Sequence, residues 1–233
     1  MLRKEITERS PLRVLEQSIH GGLGPGSLGV VVARTGVGKT AFLVGVGLDG
    51  LLRGRQVLHV SLEHSVDKAL VFYEEIFTDL AHKKALEDVW KVRLEMERNR
   101  RIHAYLDGSF SVDKLRQALD FKREYSGFEP TKILIDGLDF EKIDAAELDA
   151  LRELARSADS ELWMTAVRFR DGQSDADGVP EPVARLAGSI DVILGMAHDG
   201  NNVHVSVLKD HDADEVSDLR LALDPTTMLL VRV

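Results

Sequence analysis

The sequence predicts an α/β protein: a mostly parallel central sheet flanked by helices, with antiparallel strands at its C-terminal end. Three observations carry this expectation. Short β-branched runs alternate with longer amphipathic segments, the pattern of strands joined by covering helices. A glycine-rich turn, residues 33–40, sits between an apolar run and a helical pattern. The last three apolar runs are joined without a helical segment between them, as antiparallel strands are.

The elements follow in chain order. Leu28–Val32 reads as the first strand and Ala41 to Leu52 as the helix behind it. Val57–Ser61, Ile102–Leu106, Lys132–Ile135 and Leu162–Val167 read as further strands. Val66 to Arg98 reads as one or two charged helices, and Ser111-Val112-Asp113-Lys114 heads another that runs towards Tyr125. Within these helices Phe72, Tyr73, Phe77 and Trp90 fall at helical spacing, which predicts core packing. Val192–Ala197, Val203–Leu208 and Leu229–Val233 read as the antiparallel set, with His198-Asp199-Gly200-Asn201-Asn202 as a hairpin turn. Arg170 to Pro182, rich in Asp, Gly and Pro, reads as a mobile loop.

Composition bounds the class. The chain has 233 residues, 44% hydrophobic, with 19 Gly and 6 Pro, which fits one α/β domain over residues 21–233 behind a short extension, residues 1–20. With no cysteine, disulfides and thiolate metal sites are excluded. No apolar run approaches the ~18 residues of a membrane span, and the start lacks the apolar core of a signal peptide, so a cytoplasmic protein is expected. The net charge of -9 argues against tight non-specific nucleic-acid binding, which rests on lysines and arginines displacing counterions.

Ala33-Arg34-Thr35-Gly36-Val37-Gly38-Lys39-Thr40 carries the chemistry. Glycines let successive backbone N–H groups turn inward on an anion, Lys39 reaches β/γ-phosphates, and Thr40 offers its hydroxyl to Mg²⁺. The helix entered at Ala41 points its positive end at the same phosphates. Lys132-Ile133-Leu134-Ile135-Asp136 ends an apolar strand in a carboxylate, the residue type that completes a Mg²⁺ site opposite such a loop; a plain strand-end turn is the alternative. Glu63, just past the strand Val57–Ser61, is placed to orient and deprotonate an attacking water, or to cap the helix that starts at Val66.

These residues resemble a known family. Residues 33–40, then Ser61-Leu62-Glu63-His64, then Ile135-Asp136-Gly137-Leu138 are similar to the successive motifs of the DnaB-type replicative helicase ATPase domain, a branch of the RecA-like P-loop ATPases. Gly21-Gly22-Leu23-Gly24-Pro25-Gly26-Ser27-Leu28 is similar to the approach to the loop in KaiC and RadA-like members. The resemblance runs from about Gly21 to the C-terminus. It implies a RecA-like fold, ATP and Mg²⁺ as cofactors, Glu63 as general base, Lys39 and Thr40 on phosphate and metal, Asp136 in the metal site, and assembly into a homo-oligomer such as a hexameric ring.

The chain also departs from that pattern. Where the family places Lys-x-Arg, which a neighbouring subunit presents to the γ-phosphate, this chain has Lys209-Asp210-His211. An arginine finger is worth about 10³ to 10⁵ in rate, and a histidine with a pKa of about 6.5 offers no bidentate fork, so slow turnover is expected unless Asp210 or Asp212 keeps His211 charged. The alternative is a solvated acidic turn. Arg168 stands where the family has a polar sensor, usually glutamine, and is a candidate for contacting phosphate in place of the finger, or a surface residue. Arg185 is an interface candidate. His198 and His204 read as solvated or structural.

DNA is the largest departure. Asp136 to Asp149 holds six acids and one lysine, which would repel a phosphate chain, and Arg168 to Arg185 has three arginines against four acids with only Phe169 to stack a base. Three readings remain: a slow ring-forming or partner-regulated ATPase, a stripped single-stranded-DNA translocase, and a non-hydrolysing module whose oligomeric state follows nucleotide. The intact Glu63 disfavours the third and the acidic segment the second.

Overall fold

The computed structural model describes residues 1–169, 173–213 and 215–233. Arg170, Asp171 and Gly172 of the expected mobile loop and Asp214 of the segment after Lys209 lie outside the described residues. The described residues build a nine-stranded sheet covered on both faces, an α/β fold that is mostly parallel with antiparallel strands at its C-terminal end. Its strands are β1 (Leu28–Ala33), β2 (Val57–Ser61), β3 (Arg100–Ala104), β4 (Lys132–Asp136), β5 (Glu161–Val167), β6 (Val192–Asp199), β7 (Asn202–Asp210), β8 (Leu221–Leu223) and β9 (Leu230–Arg232). They lie in the order β3-β2-β4-β5-β1-β6-β7-β8-β9.

The central strands β1, β2 and β4 are buried along their whole length, which is why they read as unbroken apolar runs. One face is covered by α1 (Arg3–Glu8), α2 (Leu12–Ser18), α3 (Lys39–Leu52), α4 (Val66–Lys83) and α5 (Val89–Asn99), the other by α6 (Val112–Ser126) and α7 (Ala145–Ser157). Helix α3 is buried on nearly all sides, from Ala41 to Leu52. A Cβ at its Gly47 would sit 2.6 Å from Tyr73 Oη and 2.8 Å from Leu134 Cδ1, so the glycine lets the helix lie directly on β4 and α4.

The structure corrects several expectations. The third strand starts at Arg100 rather than Ile102. Strand β6 is parallel to β1 and antiparallel only to β7, because its chain arrives from the crossover after β5. Its hairpin turn is tighter than expected, with Asp199 paired to Asn202. Strand β8, three residues long, gave too short an apolar run to register. Residues 1–20 contain two short helices whose Ile6, Leu12 and Leu15 enter the same core as α3. Tyr73 and Phe77 are core residues, whereas Trp90 is 73% exposed on α5.

Two segments are more ordered than their composition suggests. Within Gln173–Pro182, the Asp175 side chain accepts from the N–H groups of Asp177 and Val179, and Val179 is buried. After Asp136, the acidic stretch is a short connection that becomes helical at Ala145: Asp144 and Glu147 form a capping box at the start of α7. Two of the six acids are thus spent on a helix terminus, and Asp149 lies inside the helix.

Candidate active site

Parallel strands of one sheet present their C-terminal ends on the same side, and there the turns after β1, β2, β4 and β5 meet. The turn after β1 enters α3 through Gly36 (φ 81°) and Gly38 (φ 104°), both in the left-handed region. A Cβ at Gly38 would sit 2.5 Å from Leu223 Cδ2, so β8 closes against the loop. Among the described residues, no acceptor is found for the N–H groups of Gly36, Gly38, Lys39 and Thr40. Such N–H groups at the N-terminus of a 14-residue helix can receive an anion.

The side chains around this loop converge. Thr40 Oγ1 donates to Asp136 Oδ2 at 2.8 Å, joining the start of α3 to the end of β4. Asp136 is 2% exposed and accepts a second bond, from Thr165 Oγ1 of β5 at 2.8 Å, at its other oxygen. Lys39 Nζ donates to the Arg34 carbonyl at 3.3 Å. Burial lowers the Lys39 pKa, while Glu63 and Asp136, the two nearby carboxylates, pull the other way. Lys39 is thus a half-buried ammonium that feels both carboxylates.

Glu63 is exposed and lies over the turn after β4: a Cβ at Gly137 (φ 87°) would fall 2.5 Å from Glu63 Cγ. Ser65 caps α4 by accepting from Lys68 N, so the helix-capping role considered for Glu63 falls to Ser65. Leu62 N donates to Asp136 O at 2.9 Å, which fixes the segment that carries Glu63 to the end of β4.

Arg168 follows β5, and its backbone N–H donates to the carbonyl of Ala33, where the glycine-rich turn begins. Its Nε is buried and has no hydrogen-bond partner among the described residues. Of the arginines proposed from sequence it is the one beside the loop. Arg185 instead donates to the carbonyls of Phe140 and Ile143, within its own chain, and holds the connection before α7.

Lys209 and His211 are not part of this cluster. The register Gly29–Val192–Asp210 puts them at the opposite end of the sheet from Ala33, about 13 Å away along the strand. Lys209 Nζ donates to the carbonyls of Ala187 and Ile190. His211 Nδ1 lies 2.7 Å from Asp210 Oδ1, and the other oxygen of this buried carboxylate lies 2.6 Å from His20 Nδ1. The acid considered as a partner for His211 is therefore in contact with it, but shared with His20, which sequence reasoning did not single out.

Thr165 and Gly137 were also missed. A threonine inside a strand reads as ordinary β-propensity, and the glycine after Asp136 reads as a turn residue; their contacts link positions 29 and 74 residues apart.

Comparison with known proteins adds a distant relative. The chain is 24% identical over 202 residues to a DnaB-like replicative helicase of Enterobacteria phage T4, covering 76% of this chain and 42% of that protein. The chain thus spans less than half the length of the relative it matches. No protein-family model matches it.

Proposed function

We propose that this chain is a Mg²⁺-dependent ATPase of RecA-like fold, related to the ATPase core of DnaB-like helicases, acting slowly as a homo-oligomer, a hexameric ring included, or under the control of a protein partner. The observation that carries the reading is the 2.8 Å hydrogen bond from Thr40 to Asp136, with Lys39 and Glu63 at the same end of the sheet. The likeness to a replicative helicase supports it.

The donor set fits Mg²⁺, a hard cation that takes oxygen ligands: a hydroxyl and a carboxylate meet beside the phosphate loop. Thr40 and Asp136 would hold the ion, which would neutralise charge developing on the phosphates. Residues 33–41 cradle the phosphates through backbone N–H groups, and Lys39 pairs with them. Glu63 orients water and accepts its proton, and Arg168 supplies positive charge to the γ-phosphate from within the chain.

His211, at the far end of the sheet, would reach a phosphate only in another copy arranged head to tail, whereas Lys209 is engaged within its own chain. Slow turnover is expected because a histidine offers no bidentate fork and its partner Asp210 is shared with His20.

A second reading, single-stranded-DNA translocation, is favoured by one observation: the acids at 144 and 147 cap α7 rather than line a free loop. Steady-state ATP hydrolysis with and without single-stranded DNA, with oligomer mass measured in parallel, tests both. A slow, DNA-indifferent rate supports the regulatory ATPase, and stimulation of about ten-fold or more supports the translocase. No hydrolysis in any assembly state contradicts both.

A further inference from the structure

We propose that Thr165 is a positioning residue for the metal-side carboxylate and the general base together; this rests on the nucleotide reading above. Thr165 lies near the end of β5 and is 1% exposed. Its hydroxyl has a single proton and two lone pairs. Gly137 N–H donates to Thr165 Oγ1 at 2.8 Å, so the hydroxyl proton is left for Asp136 Oδ1, also at 2.8 Å.

With Thr40 donating to Oδ2, both oxygens of Asp136 are fixed from opposite sides. The carboxylate cannot rotate without breaking one of these bonds. Thr40, whose proton points to Asp136, keeps its lone pairs for a cation. The β4–β5 ladder is registered through Ile135 and Met164, so the Thr165 side chain continues the connection one residue beyond it.

The same hydroxyl holds the Gly137 peptide on which Glu63 rests. Leu62 N secures the neighbouring Asp136 carbonyl from the β2 side. The Asp136–Gly137 unit is therefore clamped by β5 on one side and by the segment carrying Glu63 on the other. Three residues further along the chain, Arg168 bonds the start of the phosphate loop. One strand thus sets the metal carboxylate, the seat of the base and the candidate phosphate sensor.

A valine matches threonine in shape and would suit the strand equally well, so the hydroxyl is what distinguishes the residue. Thr165→Val leaves both Gly137 N–H and Asp136 Oδ1 without this partner at a buried position.

The experiment is titration of a fluorescent ADP analogue into wild type, Thr165→Val and Thr165→Ser, in chelator and across free Mg²⁺ concentration, with thermal unfolding alongside. The proposal expects Thr165→Val to raise the half-saturating Mg²⁺ concentration about ten-fold while Mg²⁺-free nucleotide affinity stays within two-fold, and Thr165→Ser to restore the wild-type value. Thr165→Ala carries the same test if the valine variant does not fold. An unchanged Mg²⁺ dependence in the variant overturns the proposal, as does an equal loss of affinity with and without Mg²⁺, the mark of a merely structural residue. A wild type with no Mg²⁺-dependent nucleotide binding overturns the parent reading and this inference with it.

Discussion

Glu63 rests directly on the backbone of Gly137: a Cβ added to that glycine would lie 2.5 Å from Glu63 Cγ and 3.0 Å from its Cδ. The residue that follows Asp136 is thereby the seat of the candidate base. Gly137→Ala must push Glu63 aside and adopts a φ of 87° at a cost of about 1 kcal/mol. Turnover is expected to fall ten-fold or more while nucleotide affinity changes little, measured by steady-state hydrolysis beside a binding titration.

Arg168 offers a different separation. Its buried Nε is unpartnered among the described residues, so removing the side chain breaks no hydrogen bond at that atom. Arg168→Gln should leave the unfolding midpoint within about 2 °C and lower turnover by about 10² or more if its charge acts on the γ-phosphate as proposed.

Lys209 predicts the reverse balance. Its ammonium holds the carbonyls of Ala187 and Ile190, and hydrogen bonds to charged groups are worth about 1.5 to 3 kcal/mol. Lys209→Met should lower the unfolding midpoint by about 3 to 10 °C even where no oligomer forms. An unchanged midpoint would mean that the side chain is free to act on a neighbour.

His59 gives the fold a pH dependence. Burial beside Arg100 and His64 drops its pKa to about 4 from 6.5, with Asp136 opposing, and Tyr73 Oη bonds its Nδ1 at 3.2 Å. The unfolded chain takes up a proton below pH 6.5 that the folded chain refuses until about 4, so stability is lost as pH falls through that window. The contribution is up to about 3 kcal/mol. His59→Leu should flatten the pH profile of denaturant unfolding between 6.5 and 4 relative to wild type.

The glycine-rich turn of residues 33–40 was legible in sequence because its signals are local: two glycines, a lysine and a threonine within eight residues, between a strand and a helix. Strands β1, β2 and β4 were legible because burial on both faces leaves unbroken apolar runs. What sequence hid is long-range. Trp90 shares the helical spacing of Tyr73 and Phe77, yet α5 turns it outward, and periodicity alone cannot say which face meets the sheet. The acids after Asp136 looked like one repelling loop, because the helix start at Ala145 depends on the Asp144–Glu147 capping box. His20, Thr165 and Gly137 acquire meaning only through partners 190, 29 and 74 residues away.

The central claim is that the cluster of Lys39, Thr40, Glu63 and Asp136 hydrolyses ATP, and Glu63→Gln tests it most directly. Hydrolysis and nucleotide binding should be measured for wild type and this variant in the same Mg²⁺ buffer. The account predicts nucleotide binding close to wild type and turnover reduced by about 10² or more. A variant that turns over ATP at the wild-type rate would contradict it.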